Sequence, residues 1–406
     1  MSNLLVSLGL NETLASYLAV MIWPALLVNF VAIYGGVISV VLRKVGGWMQ
    51  SRLGPNRVGP GGSLQWLADA IKLILKEGII PAGCDKLMWN LAPFLIVMGV
   101  FATFVVVPWG SYIVPSDLNV GILYVISITA LTVVGILMAG WASNNKWSLL
   151  GGMRAAAQIV TYEIPVAMGL LPAILVAGSL QMSDLMKAQG WSPFDWLVFQ
   201  NPFSMLAFLI FFVGSLAEAN QTPFDFPEAE SELVQGFVTE YSGFRFAAVG
   251  LGEFANTWVV GALCTAVFLG AGNLPAFLGE AAFLSLLVFV VKVSLVVFVM
   301  IWLRWTLPRF RIDQAMEFSW KYLLPLSFVA FFGQALFMLA TYERPWAQQI
   351  TSHVMVLLFL GVLFKFSGRV MANIRLQNTP VNSPVKIQPP APAAPAPAAA
   401  EPATEA

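Results

Sequence analysis

Apolar residues run through this chain in blocks of about twenty, separated by short polar stretches. Blocks of that length match the ~20 helical residues needed to cross a ~30 Å hydrocarbon layer. They predict spanning helices at about 17–42, 89–109, 119–141, 156–180, 202–220, 244–272, 281–303 and 322–341, with a ninth, shorter candidate at 351–366. The first twenty residues hold no Lys or Arg and so lack the basic start of a signal peptide.

One segment between the blocks has a different period. In SLQWLADAIKLILKE, Leu64, Leu67, Ile71, Ile74 and Leu75 share one helical face, and Asp69, Lys72 and Lys76 share the other. That pattern predicts an amphipathic helix in the membrane interface, the alternative being a small core-packed helix. The preceding QSRLGPNRVGPGG predicts an irregular, ordered loop. At the other end, residues 389–406 consist of Ala, Pro, Glu and Thr, with no large apolar side chain to pack a core, and are expected to be disordered. The expected organisation is a membrane domain over 1–342, a C-terminal extension with the ninth candidate over 343–384, and an Ala/Pro-rich tail over 385–406.

Composition agrees with an all-α polytopic membrane protein: 58% of residues are hydrophobic and 10% charged, against roughly 25% charged in a soluble domain. Formal net charge is zero, and no basic motif points to nucleic acid. Loop charge orients the chain. With the N-terminus outside and nine spans, 18 of the 21 Lys and Arg fall on the inner side, two (Lys187 and Arg344) fall outside, and Lys292 lies within a span. Only Cys84 and Cys264 are present, too few for an iron–sulfur cluster, and no Gly-rich nucleotide fingerprint follows a strand-like run. Flavin, nicotinamide and clusters are therefore expected elsewhere.

Residues 217–246, AEANQTPFDFPEAESELVQGFVTEYSGFRF, concentrate the chemistry. Six carboxylates (Glu218, Asp225, Glu228, Glu230, Glu232 and Glu240) face one cation, Arg245. Like charges and burial both favour protonated carboxyls, so the stretch is either a proton-handling or docking element or a solvated acidic loop. Pro227 is placed to start a helix whose first turn would hold Glu228, Glu230 and Glu232, with Glu228 and Glu232 on one face.

Three further ionisable groups lie inside predicted spans: Glu163 beside Pro165, Glu253 near Asn256, and Lys292. A charge at that depth costs about 2.5–3.5 kcal/mol, so such groups face protein or a water cavity. With Glu218 they suggest a proton-carrying axis, against which stands a Glu–Lys pair used for packing. Arg304, Arg309 and Arg311 in RWTLPRFRIDQ suit carboxylate partners, or serve as ordinary positive-inside anchors.

GPNRVGPGGSLQWLADAIKLILKE, AEANQTPFDFPEAESELVQGF and RWTLPRFRIDQ together closely resemble one membrane subunit of respiratory complex I, the H subunit in bacteria and ND1 in mitochondria. The resemblance covers roughly residues 17–341. It implies an eight-span core holding part of a quinone chamber, opened between the first span, the interfacial helix and the sixth span. It places Glu163, Glu218, Asp225, Glu228, Glu230, Glu232 and Glu253 on an acidic proton path, and Lys292 with Arg304, Arg309, Arg311 and Asp313 on the seventh span and its loop. Arg52, Arg57, Asp69 and Lys72 match the first loop and interfacial helix. The implied partners are the peripheral-arm quinone-site subunits, which carry the terminal iron–sulfur cluster, the adjacent small and antiporter-like membrane subunits, and membrane lipid; NADH, FMN and the iron–sulfur clusters lie only on partner subunits. The implied location is the bacterial inner membrane, with quinone as substrate. A hydrogenase-type complex subunit, an autonomous ion transporter and a passive docking scaffold are the alternatives. The extension beyond residue 342 receives no role from the resemblance.

Overall fold

The computed structural model describes residues 11–111, 113–275, 281–342 and 344–378, which form helices and loops. The helices are α1 (Glu12–Met49), α2 (Gln65–Leu75), α3 (Lys86–Thr103), α4 (Gly121–Ala142), α5 (Lys146–Ala177) and α6 (Met182–Lys187). They continue with α7 (Pro202–Glu218), α8 (Glu230–Leu233), α9 (Gly243–Phe268), α10 (Ala282–Thr306), α11 (Ile312–Phe318), α12 (Leu324–Thr341) and α13 (Pro345–Asn378). Among the described residues, eight helical stretches are long and apolar enough to cross a membrane, with α11 and α12 counted as one.

The predicted fifth span differs from the others. α7 has 17 residues, about 25 Å, because Asn201 caps its start by accepting from the Ser204 N–H at 2.8 Å, and the helix stops at Glu218. The ninth candidate is longer than its apolar core suggested: the spanning-length window inside α13 is Trp346–Arg369. The chain divides into two compact units, Met1–Val356 and Leu357–Ala406. The expected Ala/Pro-rich tail lies outside the described residues.

Backbones approach closely where glycine removes a side chain. Gly35, Gly36 and Gly46 of α1 receive Leu251 of α9, Trp66 of α2 and Trp305 of α10; a Cβ at each would come within 2.6, 2.8 and 2.5 Å of them. α1 therefore touches both the amphipathic helix α2 and α9. α2 buries none of its residues, and Leu64, Leu67, Ile71, Ile74 and Leu75 are all exposed. An apolar face left uncovered by the chain's own atoms favours the interfacial helix over the core-packed alternative. In the bundle core, Trp89 stacks on Tyr241 with ring centroids 3.9 Å apart.

Pro165 bends no helix open without compensation. Its missing N–H frees the Thr161 carbonyl, and the Ser319 hydroxyl, from a π-helical turn before α12, donates to it at 3.1 Å.

Candidate functional site: an acidic loop inside the bundle

The end of α7 decides the site's position. Glu218 lies within hydrogen-bonding reach of Thr129, which is eight residues, about 12 Å, from the start of the 22-residue α4. Glu163, seventeen residues into α5, is a neighbouring charge. The chain thus leaves helical structure near mid-depth, and the acidic stretch begins within the bundle. Irregular backbone at that depth must find partners in protein. Gln158 of α5, fully buried, supplies them: its Nε2 donates to the carbonyls of Ala217 and Phe224, each at 2.7 Å. Phe224 is buried against Tyr162 and Phe310, with ring centroids 5.2 and 5.6 Å away.

Two arginines hold the next turn. Arg304, in the last turn of α10, donates to Gln221 Oε1 at 2.9 Å, and Arg309 donates to buried Asp225 at 3.1 Å. The expectation that this cluster meets the acidic stretch is met by these two residues. Arg311 instead pairs with Asp313 at 3.0 Å, and both are well exposed.

Glu228 of the loop and Glu253 of α9 lie side by side within hydrogen-bonding reach, with Arg304 near both and Asp225 near Glu253. Burial pushes the Glu228 carboxyl well above the usual carboxylate range, the Glu253 charge pushes it further, and Arg304 opposes both. Glu228 Oε1 is buried with no donor aimed at it, so the pair gains its hydrogen bond only when one carboxyl holds a proton.

The rest of the stretch departs from expectation. Pro227 does not start a helix; α8 is a single turn over Glu230–Leu233, leaving Glu228 ahead of it. The shared face of Glu228 and Glu232 therefore does not form. Glu232 is exposed and pairs with Arg154 at 2.7 Å, while Glu240 accepts from Asn145 at 2.6 Å. The Glu230 side chain lies outside the described residues. The loop then rests on α5 through two glycines: a Cβ on Gly151 would meet Gly236 at 2.5 Å, and one on Gly236 would meet the Pro227 carbonyl at 1.7 Å.

Lys292 stands apart from these carboxylates. Its ammonium donates to the carbonyls of Leu269 at 2.7 Å and Ala271 at 2.9 Å, just past the end of α9, and lies 4.4 Å over the Trp196 ring. Its charge is met by carbonyl dipoles and a π face.

At the first loop, Asp69 pairs with Arg43 of α1, accepts from Gln65 at 3.1 Å, and has Lys72 at 3.9 Å. Partial burial would raise the Asp69 pKa, but the Arg43 and Gln65 hydrogen bonds outweigh it and hold the carboxyl below its usual range. Arg52 donates to Gln50 at 2.6 Å and Arg57 is exposed, so neither joins the Asp69 group. The loop is ordered as expected: Lys44 donates to the Gly61 carbonyl at 2.6 Å, and Gly62, at φ +78°, tolerates no Cβ beside the Pro55 carbonyl.

Sequence reasoning missed Arg43, Gln158 and Thr129. Gln158 carried a usable signal, a lone amide in the apolar run AAAQIV; Arg43 was hidden among loop cations counted only for orientation. Among the described residues, no group of three or more His, Cys, Asp and Glu is placed to hold a metal ion.

The chain matches the family model described as NADH dehydrogenase over residues 22–335. It is 43% identical over 375 residues to the NADH-quinone oxidoreductase H subunit of Anaeromyxobacter dehalogenans, covering 88% of this chain and 91% of that one. That share cannot fit ahead of Pro345, so this relative matches at least the first part of α13 as well. The corresponding proteins of Geobacillus kaustophilus (49% over 288 residues; 71% of this chain, 84% of that one) and Chlorobium luteolum (44% over 334; 79% and 90%) are similar too. With the family model spanning most of the chain and relatives of this identity over nearly their full lengths, the chain belongs to the family of NADH-quinone oxidoreductase H subunits, the ND1 family of complex I membrane subunits.

Proposed function

We propose that this chain forms part of the quinone chamber of a proton-translocating NADH:quinone oxidoreductase and couples quinone reduction to proton movement along its acidic residues. The N-terminus lies outside the bacterial inner membrane, so the acidic loop faces the cytoplasmic side. Electrons arrive from peripheral-arm subunits holding NADH, FMN and iron–sulfur sites; adjacent small and antiporter-like subunits complete the membrane arm. α1, α2 and α9, which touch one another, border the opening, with Arg52, Arg57, Asp69 and Lys72 on its cytoplasmic rim and Arg304, Arg309, Arg311 and Asp313 across from it.

The observation that carries the reading is the half-buried Glu228–Glu253 pair beside Arg304, with Glu228 Oε1 closed off from solvent. Two adjacent carboxyls share a proton whose affinity follows the local field. Reduction of a quinone to a quinol takes up two electrons and two protons, and a charge change beside this pair shifts its occupancy. Glu218 and Glu163, neighbours at mid-depth, continue the path.

Glu253→Gln and Glu163→Gln test it, because the amide keeps the shape and cannot cycle a proton. The expected result is normal assembly with NADH-driven proton uptake lowered at least severalfold and quinone turnover falling with it. Wild-type values for both activities, in membranes matched for assembled complex, would refute the role.

A further inference from the structure

A cavity of about 30 Å³ lies between α4, α5, α7 and α9. One water needs at least ~10–15 Å³, so this space holds about two. Glu218, Thr129, Ser215 and Asn256 supply the polar groups at its mid-depth end. Ile122, Met182 and Val267 line it towards the bundle end opposite the acidic loop, where α4 begins and α9 finishes. From Thr129 to Ile122 is seven residues of α4, about 10 Å.

The far end is fastened shut. Met182 is buried at the start of α6, and Gln189, just beyond that helix, is also buried. Gln189 Nε2 donates to the carbonyls of Ala266 at 3.1 Å and Val267 at 2.9 Å, while its Oε1 accepts from Gly270 at 2.9 Å and Leu197 at 3.2 Å. Asn273 donates to the carbonyls of Met186 and Gln189 at 2.9 and 2.7 Å, and Lys292 caps the same α9 end. These bonds tie the end of α6 to the end of α9, and past Thr129 the polar partners for water give way to the apolar side chains of Ile122, Met182 and Val267. An apolar constriction of this kind passes protons only when wetted.

We propose that this cavity is a hydration site carrying protons between Glu218 and the bundle end opposite the acidic loop, with Met182 as its apolar gate. Glu218 gives its carboxyl proton to a cavity water, that water passes a proton on towards Met182, and Glu218 is reprotonated from the acidic side. The inference rests on the proton-path reading above and adds an outlet to it.

The test is passive proton leak, measured in vesicles holding matched amounts of assembled complex under an imposed pH gradient, without NADH or quinone. Met182→Ser is expected to raise the leak at least fivefold over wild type. Met186→Ser, on the same helix and equally buried but not lining the cavity, is expected to leave it at the wild-type level. Adding Glu218→Gln to Met182→Ser is expected to abolish the excess. Should Met182→Ser fail to assemble, the near-isosteric Val267→Thr is read in the same way. No excess leak, an equal leak from Met186→Ser, or a leak surviving Glu218→Gln would each overturn the proposal. Because no turnover is involved, these failures are distinct from a failure of the Glu253 and Glu163 tests, which concern coupled uptake.

Discussion

Replacing Arg309 with Ala should loosen the acidic loop where it enters the bundle. Asp225 is 6% exposed and accepts from Arg309 at 3.1 Å, so the substitution removes a charge partner from a buried carboxylate. Breaking a fully buried pair costs about 3–5 kcal/mol. The Arg309 side chain is 46% exposed, so water screens its share and the figure is discounted to about 1–3 kcal/mol. At 1.4 kcal/mol per tenfold change, local opening of residues 219–229 should become roughly 5- to 140-fold more frequent. Amide hydrogen exchange on peptides from the assembled complex reads this directly. The Arg304–Gln221 and Gln158 contacts remain, so the rest of α7 should keep its protection. Asp225→Asn combined with Arg309→Ala should cost less than the two single effects added, because the double variant leaves no charge stranded. Unchanged protection in Arg309→Ala, or strict additivity in the double variant, would refute the claim that this ion pair anchors the loop.

Glu228 makes stability depend on pH. Its folded-state affinity for a proton is raised by burial and by Glu253, so the folded loop binds more protons than the unfolded chain does. Loop stability is therefore highest below the ordinary glutamate pKa and falls as pH rises from there through the raised folded value. Exchange corrected for its intrinsic pH dependence should show wild-type loop protection declining across that window and a shallower decline in Glu228→Gln, where Glu253 alone of the pair still titrates. Gly236→Ala should abolish normal assembly, since its Cβ would sit 1.7 Å from the Pro227 carbonyl at φ +59°. Gly250→Ala, in open space on α9, should assemble as wild type, as blue-native gels of both variants will show.

The hydropathy pattern by itself determined the all-α membrane architecture, because crossing a bilayer demands runs of about twenty apolar residues whatever their neighbours. It also determined the amphipathic helix α2, whose five apolar positions recur at helical spacing and remain uncovered in the fold. The acidic stretch, its arginine partners and the intramembrane carboxylates were visible as residue types out of place. Tertiary structure alone decided how those groups combine. α7 stops at Glu218 near mid-depth, which brings the loop inside the bundle, and no local signal marks how deep a helix end will lie. Glu228 meets Glu253 because the loop folds back on α9, whereas Lys292, equally conspicuous in sequence, is drawn to the carbonyls at the end of α9 instead. Hydrophobicity is a property of each segment, but the pairing of buried charges depends on which helices pack together, and here glycine notches and loop hydrogen bonds made that choice.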